Sequence, residues 1–221
     1  MSGFRHWRAV WILLFLVLAG VGIWLVWFSG ALAIRDVRVV GVSGPAATEV
    51  LQVAEVRVGI PMARLDATSV MARITSLAWV GESEVRRGWP NTVVLAVTPR
   101  TAVALQADSG RAIDASGNVF DPPDAVPPGL MEIAASGVGL AAAVSAWLSL
   151  PTQLAATVTG ISATTRDDIE FSLSSGAIVR WGSDAQTELK TEVLTALLPR
   201  NARFYDVSAP ELPTTQDEQN R

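Results

Sequence analysis

The chain has 221 residues, 17 basic and 21 acidic, with one histidine, no cysteine and half its residues hydrophobic. Without cysteine there are no disulfides, thiolate metal sites or cysteine nucleophiles. The single histidine, His6, stands in the N-terminal leader, so histidine-based acid–base or metal chemistry is excluded from the bulk of the protein.

The hydrophobic excess is concentrated in one place. Ala9 to Ile34 is an uncharged stretch of 26 residues, and its core, Ala9 to Phe28, is long enough at about 1.5 Å per residue to cross a hydrocarbon layer of roughly 30 Å. Trp7 and Trp11 at one end and Trp24 and Trp27 at the other are placed as anchors at the two bilayer interfaces. Arg5 and Arg8 precede the stretch with no acid, which predicts a cytoplasmic N-terminus and an extracytoplasmic remainder. Ala31-Leu32-Ala33 offers a signal-peptide cleavage pattern, but the apolar run exceeds the roughly 7 to 15 residues of a signal core, so an uncleaved single-pass anchor is expected. Beyond it, residues 35–221 hold 15 basic and 21 acidic residues. That balance has no basic footprint for nucleic acid.

Ile34 to Val42 is valine-rich and predicts a strand starting almost directly from the membrane. After Gly44-Pro45, Ala47, Val50, Leu51 and Ala54 repeat at helical spacing; after Gly59-Ile60-Pro61, Asp66 is a natural N-cap for a second helix carrying Ala67, Val70, Ile74 and Leu77. Val80 to Arg87 and Asn91 to Val97 are strand-like runs split by Gly88-Trp89-Pro90, with Val93, Leu95 and Val97 on one face. Trp79 and Trp89 flank this region and are expected to pack as large rings. The order is β-α-α-β-β within about 65 residues, a plausible small domain.

From Thr101 onward, short apolar stretches alternate with turn signals and predict a mainly antiparallel sheet. Ile169, Phe171 and Leu173 alternate before the Ser174-Ser175-Gly176 turn, and Ala177, Val179 and Trp181 after it, as in a half-buried hairpin. Two helices interrupt the strands, one with Leu140, Val144, Trp147 and Leu148, the other with Leu189, Val193, Ala196 and Leu197 and a possible Ser183-x-x-Gln186 capping box. Beyond Pro213 the polar tail has nothing to bury and is expected to be unstructured.

Catalytic readings find little support. Lys190, the only lysine, lacks any S-x-x-K or G-x-S-x-G context and is read as a surface charge on the second helix, near enough to the last strand to touch a partner. Asp167-Asp168 lacks further clustered ligands and reads as a hairpin tip. No cofactor, metal or small-molecule substrate is expected.

In order along the chain stand Val39 to Val42, Gly59-Ile60-Pro61 with Leu65-Asp66, the LAWVGESEVRRGWPNTVVLAV stretch from Leu77 to Val97, and Pro99-Arg100-Thr101-Ala102-Val103-Ala104. Ile113-Asp114 with Gly117-Asn118-Val119-Phe120, Trp181-Gly182 followed by Lys190, and Phe204-Tyr205-Asp206-Val207 complete the series. In this order behind an N-in anchor, the sequence resembles the FtsQ/DivIB family of bacterial division proteins. It departs in having Thr98-Pro99-Arg100 where the family commonly shows Glu-Arg between its two outer domains.

The resemblance implies an α+β architecture: a cytoplasmic stub (1–8), a transmembrane helix (9–33), a POTRA domain (34–100), a mainly antiparallel β domain with two helices (101–213) and a disordered tail (214–221). It implies a non-enzymatic scaffold in the inner membrane at the division septum, linking early to late division proteins and binding FtsB/DivIC-like and FtsL-like partners. The FtsB-like partner would add a strand beside the last strand of the β domain, here Ala202 to Ala209. Candidate contacts are Lys190, Arg203, Phe204, Tyr205, Val207, Ser208 and Ala209, with either Phe204 or Tyr205 facing the partner. Better-described relatives carry Arg-Tyr where this chain has Ser208-Ala209, so backbone pairing transfers and side-chain anchors do not. Tyr205 and Val207 are the positions for a proline test if their N–H groups face the open edge. The rival readings are a POTRA-bearing envelope or secretion component, which usually carries serial POTRA modules or a barrel, and a membrane-anchored hydrolase, which would need a nucleophile, base and oxyanion donors in one cleft.

Overall fold

The computed structural model describes residues 7, 11–21 and 32–216. Residues 11–21 are helical, α1, and their apolar side chains, including Leu13, Phe15 and Leu18, are exposed, as are Trp7 and Trp11. Among the described residues no helix is long and apolar enough to cross a membrane. Trp24, Trp27, most of the expected stub, residues 9–10 and 22–31 of the expected anchor and the last five residues of the expected tail lie outside the described residues. The chain divides into two compact units, Met1–Pro99 and Arg100–Arg221.

In the first unit β1 (Asp36–Val40), α2 (Gly44–Ala54), α3 (Ala67–Thr75), β2 (Val80–Gly88) and β3 (Thr92–Pro99) follow in the predicted order. The sheet runs β1-β3-β2. The two-helix crossover lets β1 lie parallel beside β3, and the tight turn makes β2 antiparallel to it. Val93, Leu95 and Val97 face the core with Ile34, Val50, Val70 and Ile74. On α2 the buried face is Ala46, Val50 and Ala54 rather than Ala47, Val50, Leu51 and Ala54, and Leu51 is exposed. Asp66 caps α3 as expected, its carboxylate accepting from the Ser69 N–H at 3.1 Å and the Ser69 hydroxyl at 2.6 Å. Gly41 sits at φ +98°, and a Cβ there would lie 2.0 Å from the Val97 carbonyl oxygen, so only glycine fits beside β3. The two tryptophans divide: Trp79 is buried and its Nε1–H donates to Glu49 at 3.0 Å, whereas Trp89 projects from the β2–β3 turn, 57% exposed.

The second unit contains β4 (Ala104–Gln106), β5 (Ala112–Ile113), β6 (Val119–Phe120), β7 (Met131–Ala135), α4 (Gly137–Leu148), α5 (Thr152–Ala155), β8 (Val158–Ala163), β9 (Ile169–Leu173), β10 (Ile178–Gly182), α6 (Thr187–Leu197), β11 (Phe204–Asp206) and β12 (Thr214–Gln216). Its strands form one sheet in the order β12-β11-β10-β9-β8-β7-β4-β5-β6. Most pairings are antiparallel, as the turn signals predict. The α4–α5 and α6 connections instead return the chain in the same direction, making β7–β8 and β10–β11 parallel, and β4–β7 is parallel as well. The predicted hairpin is β9–β10: Ile169, Phe171, Leu173, Ala177, Val179 and Trp181 all enter one core, with the Phe171 and Trp181 rings 5.2 Å apart and tilted by 57°. Packing of α4 on β7, β8 and β9 closes that core.

The Asp114 to Asn118 motif is a structural turn. Asp114 is buried and its carboxylate accepts from the Ser116 and Asn118 backbone N–H groups, each at 2.9 Å, from the Asn118 side chain and from the Arg100 guanidinium. Burial alone would push its pKa up, but the donors from Asn118, Arg100 and Ser116 outweigh that and hold it below the usual carboxylate value.

Candidate partner-binding edge

The C-terminal end of the large sheet is built by β10, α6 and β11. After β10, α6 carries the chain over the sheet so that β11 returns parallel to β10, with Ile178, Val179 and Arg180 opposite Phe204, Tyr205 and Asp206. The Ile178 N–H donates to the Arg203 carbonyl at 2.9 Å, and the Val207 N–H donates to the Arg180 carbonyl at 3.0 Å. Alternation along the strand therefore turns the polar backbone groups of Arg203, Tyr205 and Val207 toward β10 and those of Phe204 and Asp206 away from it.

Those outward groups meet β12. Thr214 pairs with Asp206, Thr215 with Tyr205 and Gln216 with Phe204, antiparallel. The expectation of an unstructured tail after Pro213 is thus corrected for its first three residues, and the expectation that the last strand is open is corrected with it: β11 is covered, and among the described residues β12 is the outermost strand at this end of the sheet. Two consecutive β-branched threonines were the available signal, and polarity hid it because β12 contributes no side chain to the core.

The expected contact residues sort by face. Tyr205 is buried; its hydroxyl accepts from the Ala202 N–H at 3.0 Å and donates to the Leu198 carbonyl at 3.4 Å. Val207 is wholly buried. Arg203, Ser208 and Ala209 are exposed and Phe204 is half-buried, so Phe204, not Tyr205, is the aromatic side chain open to a partner. A cleft of about 690 Å³ opens beside the start of β11, lined by Leu173, Ser175, Gly176, Leu198, Arg203 and Tyr205 among others. Gly182, at φ +76°, permits the close pass of Ser208 beyond β11, since a Cβ there would stand 2.8 Å from the Ser208 Cβ.

Lys190 is not a surface charge. The buried face of α6 is one residue out of phase with the expected Leu189, Val193, Ala196 and Leu197: Leu189 is exposed, while Lys190 and Leu194 are buried. The lysine stem packs as an apolar chain, its Nζ donates to the Ser183 carbonyl at 2.8 Å, and the ammonium lies 5.7 Å from the Trp181 ring centre. Burial pushes its pKa below the usual value, opposed by Asp184 and Asp167. Ser183 does not cap α6: its hydroxyl accepts from the Ala185 N–H at 3.4 Å, and the N-cap of α6 is Gln186. Lys190 is therefore buried against Trp181 rather than presented at the surface.

Residues 32–100 match the POTRA domain, FtsQ-type, and residues 102–211 match Cell division protein FtsQ/DivIB, C-terminal. Similar proteins include the Cell division protein FtsQ of Streptomyces collinus, 31% identical over 97% of this chain and 90% of the relative, and that of Streptomyces venezuelae, 33% identical over 90% and 80%. The chain belongs to the FtsQ/DivIB family. The FtsQ of Mycobacterium tuberculosis strain CDC 1551 is 30% identical over 91% of this chain but 66% of its own length, so the chain spans just under two thirds of the mycobacterial relative. Within that family match, the V-x-G-V and Trp181-Gly182 signatures of the sequence correspond to Gly41 and Gly182, the two close backbone passes described above.

Proposed function

We propose that this protein is a non-enzymatic, single-pass membrane scaffold of the bacterial division machinery. Its N-terminus faces the cytoplasm, residues 9–33 form the anchor, and the POTRA and β domains (residues 34–100 and 101–213) lie outside, at the septum. The exposed apolar row along α1 supports the anchor. The partners are FtsB/DivIC-like and FtsL-like bitopic division proteins, and the scaffold joins them to earlier division components.

The observation that carries the binding mechanism is the C-terminal edge. β12 is three residues long, polar and without a side chain in the core, and it hangs from a segment in which Leu212 is 81% exposed. A longer partner strand with apolar side chains gains more from Phe204 to Asp206 than β12 does, so the partner takes the place of β12 on β11. Each main-chain hydrogen bond contributes about 0.5–1.5 kcal/mol net.

The test compares the full chain with a chain ending at Pro213 for co-purification with the FtsB-like partner, alongside imaging of a tagged copy at midcell. Removing β12 is expected to tighten binding by about tenfold or more. Weaker binding would place the partner on β12 itself, and failure to recover any division protein together with diffuse membrane signal would refute the scaffold reading.

A further inference from the structure

Parallel pairing puts two distant parts of the first unit at one end of its sheet. β1 begins at Asp36 opposite Thr92, so the tip of the β2–β3 hairpin, Gly88 to Asn91, stands level with the point where the chain enters the domain. The contact is direct: the Arg35 and Asp36 N–H groups donate to the Asn91 carbonyl at 2.8 and 3.3 Å. The Val56–Ile60 loop is tied to the same place, with the Ile34 N–H donating to the Ile60 carbonyl at 2.9 Å and the Gly59 N–H to the Ile34 carbonyl at 2.8 Å. Only Ser29-Gly30-Ala31-Leu32-Ala33 separates Phe28, the end of the apolar core, from Ile34. Fully extended, that is at most about 20 Å.

At this end the side chains are of the wrong kind for water alone. Among the described residues from 32 onward, Trp89 is the one exposed aromatic side chain, at 57%, and Val58 in the neighbouring loop is 63% exposed. Arg35 and Arg57 are exposed beside them; of the nearby acids, Asp36 is paired with Arg38 at 2.6 Å and Glu55 is exposed just before the Val56–Ile60 loop. An apolar tip with an indole at its point and arginines around it matches the water–bilayer boundary, where tryptophan is favoured and anionic headgroups attract guanidinium groups.

We propose that the β2–β3 hairpin tip is a second membrane contact, with Trp89, Pro90 and Val58 seated in the headgroup layer and Arg35 and Arg57 on anionic lipid. This rests on the anchor reading above. The contact holds the POTRA domain in a fixed orientation on the membrane rather than on a loose tether.

The absence of cysteine permits unique labelling of the full chain. Single cysteines at Asn91, Glu82 and Leu16 are labelled with an environment-sensitive dye in nanodiscs of phosphatidylethanolamine and phosphatidylglycerol carrying doxyl lipids. Glu82 pairs with Thr98 at the far end of the sheet, roughly 20 Å from the tip, and serves as the distant reference. Headgroup-region quenching at Asn91 is expected to exceed that at Glu82 by about twofold or more, and Trp89→Ser is expected to bring it down to the Glu82 level. Equal quenching at Asn91 and Glu82 overturns the proposal. Quenching at Asn91 that survives Trp89→Ser overturns the role of the indole. Loss of quenching at Leu16 marks failure of the anchor reading, which is thereby separated from failure of the tip contact.

Discussion

Proline placed at Asp206, the last residue of β11, and at Val207, just past its end, should have opposite consequences, because their N–H groups point to opposite neighbours. The Val207 N–H holds β11 to β10 through the Arg180 carbonyl at 3.0 Å, and the Val207 side chain is wholly buried. Val207→Pro leaves that carbonyl without its donor, costing about 1–3 kcal/mol. Misfit of the ring among buried neighbours adds about 1–2 kcal/mol, for a total of about 2–5 kcal/mol against a typical domain stability of about 5–15 kcal/mol. With a urea dependence of about 2 kcal/mol per molar, the unfolding midpoint should fall by about 1–2.5 M. Asp206 points its N–H at β12 instead, so Asp206→Pro should cost the fold only about 0.5–1.5 kcal/mol while weakening both β12 and any strand that replaces it. Asp206→Ala is the reference for loss of the carboxylate, which accepts from the Ser208 N–H at 3.0 Å and the Ser208 hydroxyl at 2.6 Å. Urea unfolding followed by far-UV circular dichroism gives the stabilities, and amide exchange of residues 214–216 with partner recovery gives the edge. Equal midpoint shifts for the two proline variants, or a larger one for Asp206→Pro, would refute the backbone assignment.

Gly182→Ala and Gly176→Ala separate strain from collision. Both glycines have positive φ, +76° and +83°, but a Cβ at Gly176 meets nothing within 4 Å whereas one at Gly182 meets Ser208. Gly176→Ala should cost about 1–2 kcal/mol, and Gly182→Ala about 1–3 kcal/mol more, with faster amide exchange after residue 206; equal costs would count against the close pass. The buried ammonium of Lys190 gives a pH signature. Its folded pKa lies below the usual lysine value of 10.5, so just under that pH the unfolded chain binds a proton that the folded chain has released. Stability should therefore rise with pH through that interval, and Lys190→Met should remove the rise without lowering stability at neutral pH by much; a slope unchanged in Lys190→Met would show that other groups cause it.

The β-α-α-β-β order, the β9–β10 hairpin, the Asp66 cap and the family signatures were all legible in the residues, because each depends on local spacing: a period of two, a period near four, or a glycine at a turn. Local spacing could not set the phase of α2 and α6. Leucine at positions 51 and 189 looks like the buried residue, yet the packed faces run through Ala46 and Lys190, since what a helix buries depends on the surface it meets and a lysine stem fills an apolar gap when its amine finds an acceptor. Which edge is open was equally beyond the sequence. Whether Phe204 or Tyr205 faces outward follows from the parallel register with β10, and the covering of β11 by Thr214 to Gln216 follows from where a loop returns the chain. Strand pairing joins residues by position in the sheet, so the tertiary structure alone set the terminal edge beside β12 and placed Trp89 level with the chain's entry into its domain, whereas the sequence by itself had already ruled out cysteine chemistry in this chain and confined its single histidine to position 6.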